Sequence, residues 1–400
     1  MAMNSPRNIY IKNQFAPLTL RQKLGILTRA RTFAGPVYAQ IGVTDRCNMR
    51  CLCCWFYSPL VQNNPYREKA AELPYEDYRR LLTELYGLGC RYIIIVGFGE
   101  PFVHPRIMDM LADAKRMGFN AGVCTNGTLL TDATLDALIG MRLDRIDVSV
   151  WAGSSGSYLK THQGCSPKTF DRIRTALLRI RDLKRSQNLV VPYVKILNVI
   201  SRANCTDIAE MIDFGIEVGA EEITFTPVMT ASAQTNTLLL TNAEAARVRE
   251  DLEKLREKVG ESSLQFVNIN EYLERISSER QATGDYDLGR IHRIPCTIGW
   301  RFLVTLTNGD VLACCNGEGR PMGNFLRQSM QEIWEGATYR EFRRRAVVSP
   351  RCADDKYFLP FCCGTRCPHY LECLDVYQEL SRMPGWKKSL MKAMGGLLPG

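Results

Sequence analysis

The chain has 400 residues, of which 46% are hydrophobic and 23% are charged, values typical of a globular protein with a large and a smaller domain. Its net charge of +9 is spread along the sequence, which disfavours nucleic-acid binding and is compatible with an anionic substrate. The N-terminus lacks a signal peptide, and no apolar run reaches the roughly 18 residues of a membrane span. We therefore expect a cytoplasmic protein without a transmembrane segment.

The 16 cysteines are unevenly placed along the chain. They are densest in residues 47–54 and in the last quarter of the sequence. Disulfide scaffolds are usually short secreted chains, so clustered cysteines in a large protein of a reducing compartment indicate metal ligands.

Strands and helices alternate between residues 37 and 229, after an N-terminal extension over residues 1–36. The predicted strands cover residues 37–43, 92–96, 121–125, 145–150, 190–199 and 222–227. The predicted helices cover residues 75–87, 106–117, 133–141 (behind a cap at Asp132), 168–184 and 209–219. Repeated βα units predict an α/β fold with a parallel sheet, helices outside it, and functional residues at the carboxyl ends of the strands.

The pattern changes after residue 229. Residues 230–290 predict a bridging segment whose charged helix, residues 243–260, we interpret as a solvated surface element. Residues 291–380 form a predicted cysteine-rich domain that opens with a hairpin turning at Asn308-Gly309. Residues 381–400 form a basic amphipathic tail, either a helix on a membrane surface or, as composition favours, a terminal helix docked on the protein.

The first cysteine motif lies directly after the first predicted strand. Cys47, Cys51 and Cys54 form C-x3-C-x2-C, and three thiolates from one loop could bind three irons of a cubane cluster and leave the fourth iron open. The segment VTDRCNMRC resembles the radical S-adenosylmethionine (SAM) superfamily. Cys53 stands where that family usually has an aromatic residue, so the choice between Cys53 and Cys54 stays open, with spacing favouring Cys54. The alternative is a zinc site or unmetallated thiols.

The resemblance implies a partial (β/α)6 barrel over residues 37–229. In this family the open iron of a 4Fe–4S cluster binds the amine and carboxylate of SAM, and an electron cleaves SAM to a 5′-deoxyadenosyl radical. SAM contacts are then expected at the ends of four strands, at Gly97, Gly99 and Glu100, at Thr125 and Asn126, at Ser149, and at Asn198. Phe98 replaces the second glycine of the family's Gly-Gly-Glu-Pro motif. The alternative for Ser149 and Asn198 is a polar residue that simply ends a strand.

The C-terminal cysteines resemble the family's SPASM and twitch extensions, which carry auxiliary clusters. Cys296, Gly309 and Cys314 match their C-x9–15-G-x4-C hairpin, while Tyr377 stands where the SPASM pattern has a further cysteine. The resemblance implies at least one auxiliary 4Fe–4S cluster. The predicted ligands are Cys296, Cys314, Cys363, Cys367 and Cys373; Cys315, Cys352 and Cys362 are possible substitutes, and structural zinc is the alternative.

The predicted function is abstraction of a hydrogen atom from a substrate C–H bond. We favour a small polar, carbohydrate-like substrate undergoing dehydrogenation or epimerisation, because about 36 residues before the first strand are too few for a separate peptide-binding domain. The alternatives are a peptide-modifying maturase, and an iron–sulfur or zinc protein without SAM chemistry. The family implies a flavodoxin- or ferredoxin-type electron donor.

Overall fold

The computed structural model describes most of the chain. The described residues are 18–29, 31–61, 71–230, 232–277, 281–290, 293–317, 319–346 and 367–397. Cys352, Cys362 and Cys363 lie outside them, so the prediction that Cys363 is a ligand stays a prediction.

The described strands form one ten-stranded sheet in the order β10-β9-β8-β1-β2-β3-β4-β5-β6-β7. The strands are β1 (Tyr38–Gly42), β2 (Tyr92–Val96), β3 (Asn120–Thr125), β4 (Arg145–Ser149), β5 (Tyr193–Ile200), β6 (Glu222–Pro227), β7 (Gln265–Phe266), β8 (Phe302–Thr305), β9 (Asp310–Leu312) and β10 (Gly323–Asn324). Strands β1 to β7 pair in parallel, each with the next along the chain. Their carboxyl ends therefore share one edge of the sheet.

Helices connect and cover the strands. They are α1 (Leu20–Thr28), α2 (Tyr75–Gly87), α3 (Ile107–Arg116), α4 (Asp132–Gly140), α5 (Ser155–Thr161), α6 (Pro167–Ser186), α7 (Ile208–Glu217), α8 (Asn242–Gly260), α9 (Ile269–Ile276), α10 (Met330–Trp334), α11 (Ala337–Ala346), α12 (Tyr370–Ser381) and α13 (Gly385–Leu397). Short 3₁₀ helices cover Pro101–Val103, Ala233–Leu238, Gln281–Thr283 and Ile298–Trp300.

Alternate residues of each strand face the helices and form the main core. Ile41, Ile95 and Val123 of neighbouring strands are fully buried there together with helix residues such as Leu82 and Leu138. Each such side chain stabilises the fold by about 1.5–3 kcal/mol relative to an exposed one. The strand positions between them face the opposite side of the sheet, which we call the inner face.

The inner face is polar at the amino ends of the strands. Arg145 of β4 lies 2.6 Å from Asp147 and 3.7 Å from Glu222 of β6, and Lys195 of β5 lies 2.9 Å from Glu222. All four side chains are largely buried. Because each charge has a neighbour of opposite sign, the network can be buried at the amino ends of the strands at a tolerable desolvation cost. A functional site would then lie at the carboxyl ends.

Most predicted elements agree closely with the structure. Strands β2 and β6 and helix α2 have the predicted bounds, and the other core elements differ by one to three residues at their ends. The cap of α4 is Thr131, whose hydroxyl accepts from the Thr134 amide, and not Asp132. Helix α5 was not predicted, because its seven residues are rich in Ser and Gly and show no apolar period.

The C-terminal hairpin continues the core sheet. Strand β8 pairs in parallel with β1, and β9 returns antiparallel to β8 across the predicted turn, where Gly309 has a φ of 89°. A positive φ is readily available only to glycine at this position. The sheet thus runs unbroken from residue 38 into the cysteine-rich segment, while the domain boundaries remain predictions.

Two peripheral helices pack on the protein. Helix α8 is not simply a solvated element, since Val248 and Leu252 are fully buried and the helix packs against α7. The tail helix α13 packs against α1, as the docked alternative expects. Among the described residues, no helix has the length and apolar character needed to cross a membrane.

Candidate active site

The cysteine loop lies between β1 and α2, at the carboxyl edge of the sheet. Its last turn is closed by the Cys54 amide, which donates to the Cys51 carbonyl at 3.1 Å. The Met49 amide donates to the Cys47 sulfur at 3.4 Å, and the Tyr57 amide donates to the Cys54 sulfur at 3.2 Å. Amide donors of this kind favour thiolates, so the backbone is arranged to support negatively charged sulfur.

Burial works against free thiolates in this loop. It raises the pKa of Cys47 to about 11 and raises the pKa of Cys51 well above its usual value, and the neighbouring thiols raise both further. Cys54 is one of the thiols whose charge raises the pKa of both Cys47 and Cys51. Thiols gathered in this way ionise when a cation binds them, which is the behaviour expected of metal ligands.

The Cys53 side chain packs differently from those of the other three cysteines of the loop, although it acts electrostatically on Cys51 and is acted on by Cys54. Cys53 lies in an apolar cluster with Leu52, Val228 and Tyr286. Its thiol contacts Ser201, and burial raises the pKa of Cys53 to about 11. This packing favours Cys54 as the third ligand, in line with the spacing.

A second segment holds the loop in place. Cys51 forms an isolated antiparallel bridge with His162, just after α5, and the Leu52 amide donates to the Thr161 carbonyl at 2.8 Å. The chain following β4 therefore fixes the middle of the cysteine loop.

Two glycines bring the end of β2 against the cysteine loop. The Gly99 amide donates to the Thr44 carbonyl at 3.1 Å. A Cβ atom on Gly99 would lie 1.9 Å from the carbonyl oxygen of Arg46, and one on Gly97 would lie 2.3 Å from the carbonyl oxygen of Gly99. Only glycine fits at either position, because the space that a side chain would take is filled by backbone of the turn itself and of the cysteine loop.

Glu100 ties the ends of β2 and β3 together. Its side chain is 2% exposed and accepts from the Thr125 hydroxyl at 2.7 Å, the Asn126 amide at 2.7 Å and the Phe102 amide at 3.1 Å. Burial raises the pKa of Glu100, against the lowering effect of these donors. The structure therefore brings together Glu100, Thr125 and Asn126, which the sequence predicts as separate SAM contacts.

Asn126 also reaches the cysteine loop. Its Nδ2 donates to Asn48 Oδ1 at 2.9 Å, and Asn48 Nδ2 donates to the Thr128 hydroxyl at 2.8 Å. Asn48 was not predicted as a site residue, although it follows Cys47 directly. Ser149, on the inner face at the end of β4, hydrogen-bonds with the Cys124 thiol of β3.

Asn198 lies on the other side of the sheet. It shares its face of β5 with Ile196 and Ile200, which belong to the main core. Its side chain is 1% exposed, and neither polar atom has a hydrogen-bond partner in the part of the chain that the structure describes. This helix-facing position gives no support to the predicted ribose contact, which stays a prediction.

The cysteine loop offers a donor set that suits a cluster. Cys47, Cys51 and Cys54 act on one another electrostatically. Three thiolates from one loop can bind three irons of a cubane cluster. The donor set therefore suits the predicted 4Fe–4S cluster.

A second group of cysteines lies beside β1 and β8. Cys296, Cys367 and Cys373 are buried in one apolar cluster, and Cys315 packs against it. Cys296 and Cys314 both act electrostatically on the buried Tyr339. The structure thus gathers the described members of the predicted auxiliary ligand set, with Cys315 as a further candidate.

A buried polar network surrounds this second group and was not predicted. His369 Nε2 lies 3.7 Å from the Cys315 sulfur, and His369 also hydrogen-bonds with Cys314. Glu372 accepts from the Tyr38 hydroxyl and from Arg301 Nε, each at 2.7 Å, and lies 3.6 Å from His369 Nδ1. The position of His369 within Cys367-Pro-His-Tyr was the one sequence signal that could have suggested it.

A cysteine loop and a glycine-rich turn lie at one edge of a parallel sheet, and a second cysteine group lies beside them. This arrangement is the one expected of an iron–sulfur protein that binds SAM. Residues 41–200 match the model of the radical SAM superfamily, and residues 296–367 match that of an iron–sulfur cluster-binding domain, SPASM. The chain is a radical SAM enzyme with a C-terminal SPASM domain.

The chain is also similar to curated proteins. It is 33% identical over 114 residues to the tungsten-containing aldehyde ferredoxin oxidoreductase cofactor-modifying protein of Pyrococcus furiosus, a match covering 28% of this chain and 30% of that protein. It is 27% identical over 362 residues to the PqqA peptide cyclase of Ruegeria pomeroyi, covering 84% of each. The chain thus spans under a third of the first relative and most of the second.

Solved structures share the fold. The crystal structure of Streptococcus suis SuiB bound to S-adenosylmethionine has a TM-score of 0.60 at 18% identity, covering 86% of this chain and 75% of that one. The structure of anSMEcpe with bound AdoMet has a TM-score of 0.57 at 15% identity, covering 91% of this chain and 96% of that one.

Proposed function

We propose that this enzyme modifies a peptide by abstracting a hydrogen atom from one of its C–H bonds. The observation that carries the proposal is the similarity to a PqqA peptide cyclase along 84% of both chains. Our prediction of a small carbohydrate-like substrate has less support than its peptide alternative, because two PqqA peptide cyclases match along 75% or more of both chains.

In this proposal Cys47, Cys51 and Cys54 hold the first cluster. The bound 4Fe–4S cluster and SAM supply the reducing electron and the 5′-deoxyadenosyl radical. The chain supplies position: the loop amides of residues 49 and 57 support the sulfur ligands. Gly97 and Gly99 let the end of β2 pack directly against the cysteine loop, and the resemblance implies that the backbone of this turn binds the SAM methionine group.

Glu100 acts here as a positioning residue. By accepting from the Thr125 hydroxyl and the Asn126 amide it fixes the ends of β2 and β3 relative to each other. Asn126 in turn holds Asn48 beside Cys47. The SAM-binding edge is thus set before SAM arrives, which lowers the ordering cost of binding. Ser149 remains a proposed SAM contact on the inner face.

We propose that a substrate side chain binds beside the cysteine loop. A cavity of about 360 Å³ separates the cysteine loop from the β8–β9 hairpin, and it is lined by Phe56, Tyr57, Phe98, Leu306 and Thr307 among others. The rings of Phe56 and Phe98 meet edge to face at 4.9 Å. This volume suits a bulky side chain of a bound peptide. We propose that Cys296, Cys314, Cys367 and Cys373 contribute to an auxiliary cluster.

The experiment compares two substrate classes. The anaerobically reconstituted enzyme is incubated with dithionite, SAM and either a panel of synthetic 20-residue peptides or a panel of aminoglycosides. Formation of 5′-deoxyadenosine and the masses of the substrates are followed. The proposal expects some peptides to stimulate nucleoside formation and to lose hydrogen. Stimulation and modification confined to the aminoglycosides would contradict it.

A further inference from the structure

Tyr158 carries a buried hydroxyl group with no acceptor. It lies in α5, is 0% exposed, and packs in the main core. Its hydroxyl group has no hydrogen-bond partner among the residues that the structure describes. A buried donor left unpaired costs about 1–3 kcal/mol, so a phenylalanine would be the cheaper residue here unless something else accepts the hydrogen bond.

The hydroxyl lies beside the cysteine loop. The Tyr158 ring stacks on His162 with centroids 4.0 Å apart and planes 10° apart, and the His162 backbone bridges to Cys51. The thiols of Cys165, Cys51 and Cys47 all act electrostatically on the phenol. Tyr158 is therefore fixed on the core side of the proposed first cluster.

The neighbouring polar groups are already engaged. The Cys165 thiol donates to the Met49 sulfur at 3.6 Å. The Thr161 hydroxyl donates to the Tyr158 carbonyl at 3.1 Å, and His162 Nδ1 lies 3.2 Å from that same carbonyl. The sulfurs of Cys165, Cys51 and Cys47, which act on the phenol, can all still accept. In the enzyme with its cluster those of Cys51 and Cys47 would be thiolates, which accept a stronger hydrogen bond than the neutral Cys165 thiol.

We propose that Tyr158 donates a hydrogen bond to the first cluster, through the Cys51 thiolate or an adjacent sulfide, and thereby raises the cluster's reduction potential. The inference rests on the proposed placement of that cluster on Cys47, Cys51 and Cys54. A donor to sulfur stabilises the more negative, reduced cluster more than the oxidised one. Tyr158 is thus a positioning and tuning residue that need not touch the substrate.

The test uses Tyr158→Phe, which removes only the hydroxyl group, in the reconstituted full-length enzyme without SAM. Tyr78→Phe is the matched control, because Tyr78 is equally buried but donates to the Met110 carbonyl at 2.9 Å, within the core. The readouts are iron and sulfide content, the midpoint potential from an EPR-monitored titration, and proton ENDOR of the reduced cluster before and after exchange into D₂O.

We expect Tyr158→Phe to keep its cluster, to shift the midpoint to a more negative potential, and to lose one exchangeable proton coupling that Tyr78→Phe retains. Unchanged potential and ENDOR spectra in Tyr158→Phe would overturn the inference while leaving the proposed cluster intact. A wild-type protein whose cluster does not depend on Cys51 would overturn both. If Tyr158→Phe loses iron, 2,3,5-trifluorotyrosine at residue 158, a stronger donor of similar shape, should shift the midpoint to a more positive potential, and no shift would overturn the inference.

Discussion

The approach of Gly99 to the cysteine loop gives a sharp test of the site geometry. In Gly99→Ala the new methyl group would lie 1.9 Å from the carbonyl oxygen of Arg46, where real Cβ contacts essentially never fall below 3.0 Å. Both sides of this contact are backbone, so the loop must move by about 1 Å. A displacement of that size at a reacting centre costs about 10²-fold in rate. The same movement would distort the hydrogen bond that the Glu100 amide donates to the Arg46 carbonyl at 2.8 Å.

The assay is the rate of 5′-deoxyadenosine formation from SAM and dithionite, together with the melting temperature and iron content of each variant. Gly87→Ala is the control, because a Cβ atom at this end of α2 meets nothing within 4 Å. It should leave the rate unchanged and slightly raise stability, since alanine is favoured over glycine in a helix by about 1 kcal/mol. Wild-type nucleoside formation by Gly99→Ala would refute the proposed contact between β2 and the loop.

Three further variants test other parts of the structure. Glu100→Gln places an amide N–H against a backbone donor that now lies 2.7 Å from the carboxylate, so it should lose about 1–3 kcal/mol of stability and bind SAM more weakly, as measured by thermal unfolding and calorimetry. Glu222→Gln removes the carboxylate that pairs with the buried Lys195 and weakens the pairing of Arg145, which keeps Asp147, and it should cost about 3–5 kcal/mol at neutral pH. Burial opposes the charged form of Glu222, but the two cations hold its pKa below the usual value. The stabilisation by Glu222 is therefore complete above the ordinary pKa of about 4.3 and is lost as the pH falls through the lower pKa of the folded state. Urea unfolding should accordingly show that the difference in stability between wild type and variant shrinks in acid. Cys53→Ala should keep wild-type iron and sulfide content, whereas a loss equal to that of Cys54→Ala would show that the packing argument is wrong.

Much of the fold was predictable because its elements carry strong local patterns. The run YIIIV predicts only a strand, and the apolar spacing of α2 predicts only a helix. The pairing of β8 with β1 was not predictable, since the two strands are far apart in sequence and no residue of FLVT encodes a parallel partner. Strands of two residues, such as β7 and β10, are likewise fixed by their neighbours and not by their own sequence.

The candidate site was predictable where short-range spacing specifies it. The cysteine loop, Gly99 and Glu100 follow from motifs within a few residues, and the structure brings them together. The side of the sheet on which Asn198 lies follows from strand alternation, because it shares parity with Ile196. The donor role that we propose for Tyr158 has no sequence signal, since it depends on which atoms surround one hydroxyl group in the folded core.

Reductive cleavage of SAM is the decisive measurement for the proposed cluster on Cys47, Cys51 and Cys54. Reconstituted wild-type enzyme with dithionite should form 5′-deoxyadenosine. Cys47→Ala, Cys51→Ala and Cys54→Ala should form none, while Cys53→Ala should stay active. Nucleoside formation at the wild-type rate by any of the first three variants, or none from a fully clustered wild-type enzyme supplied with SAM and a peptide that it binds, would contradict the account.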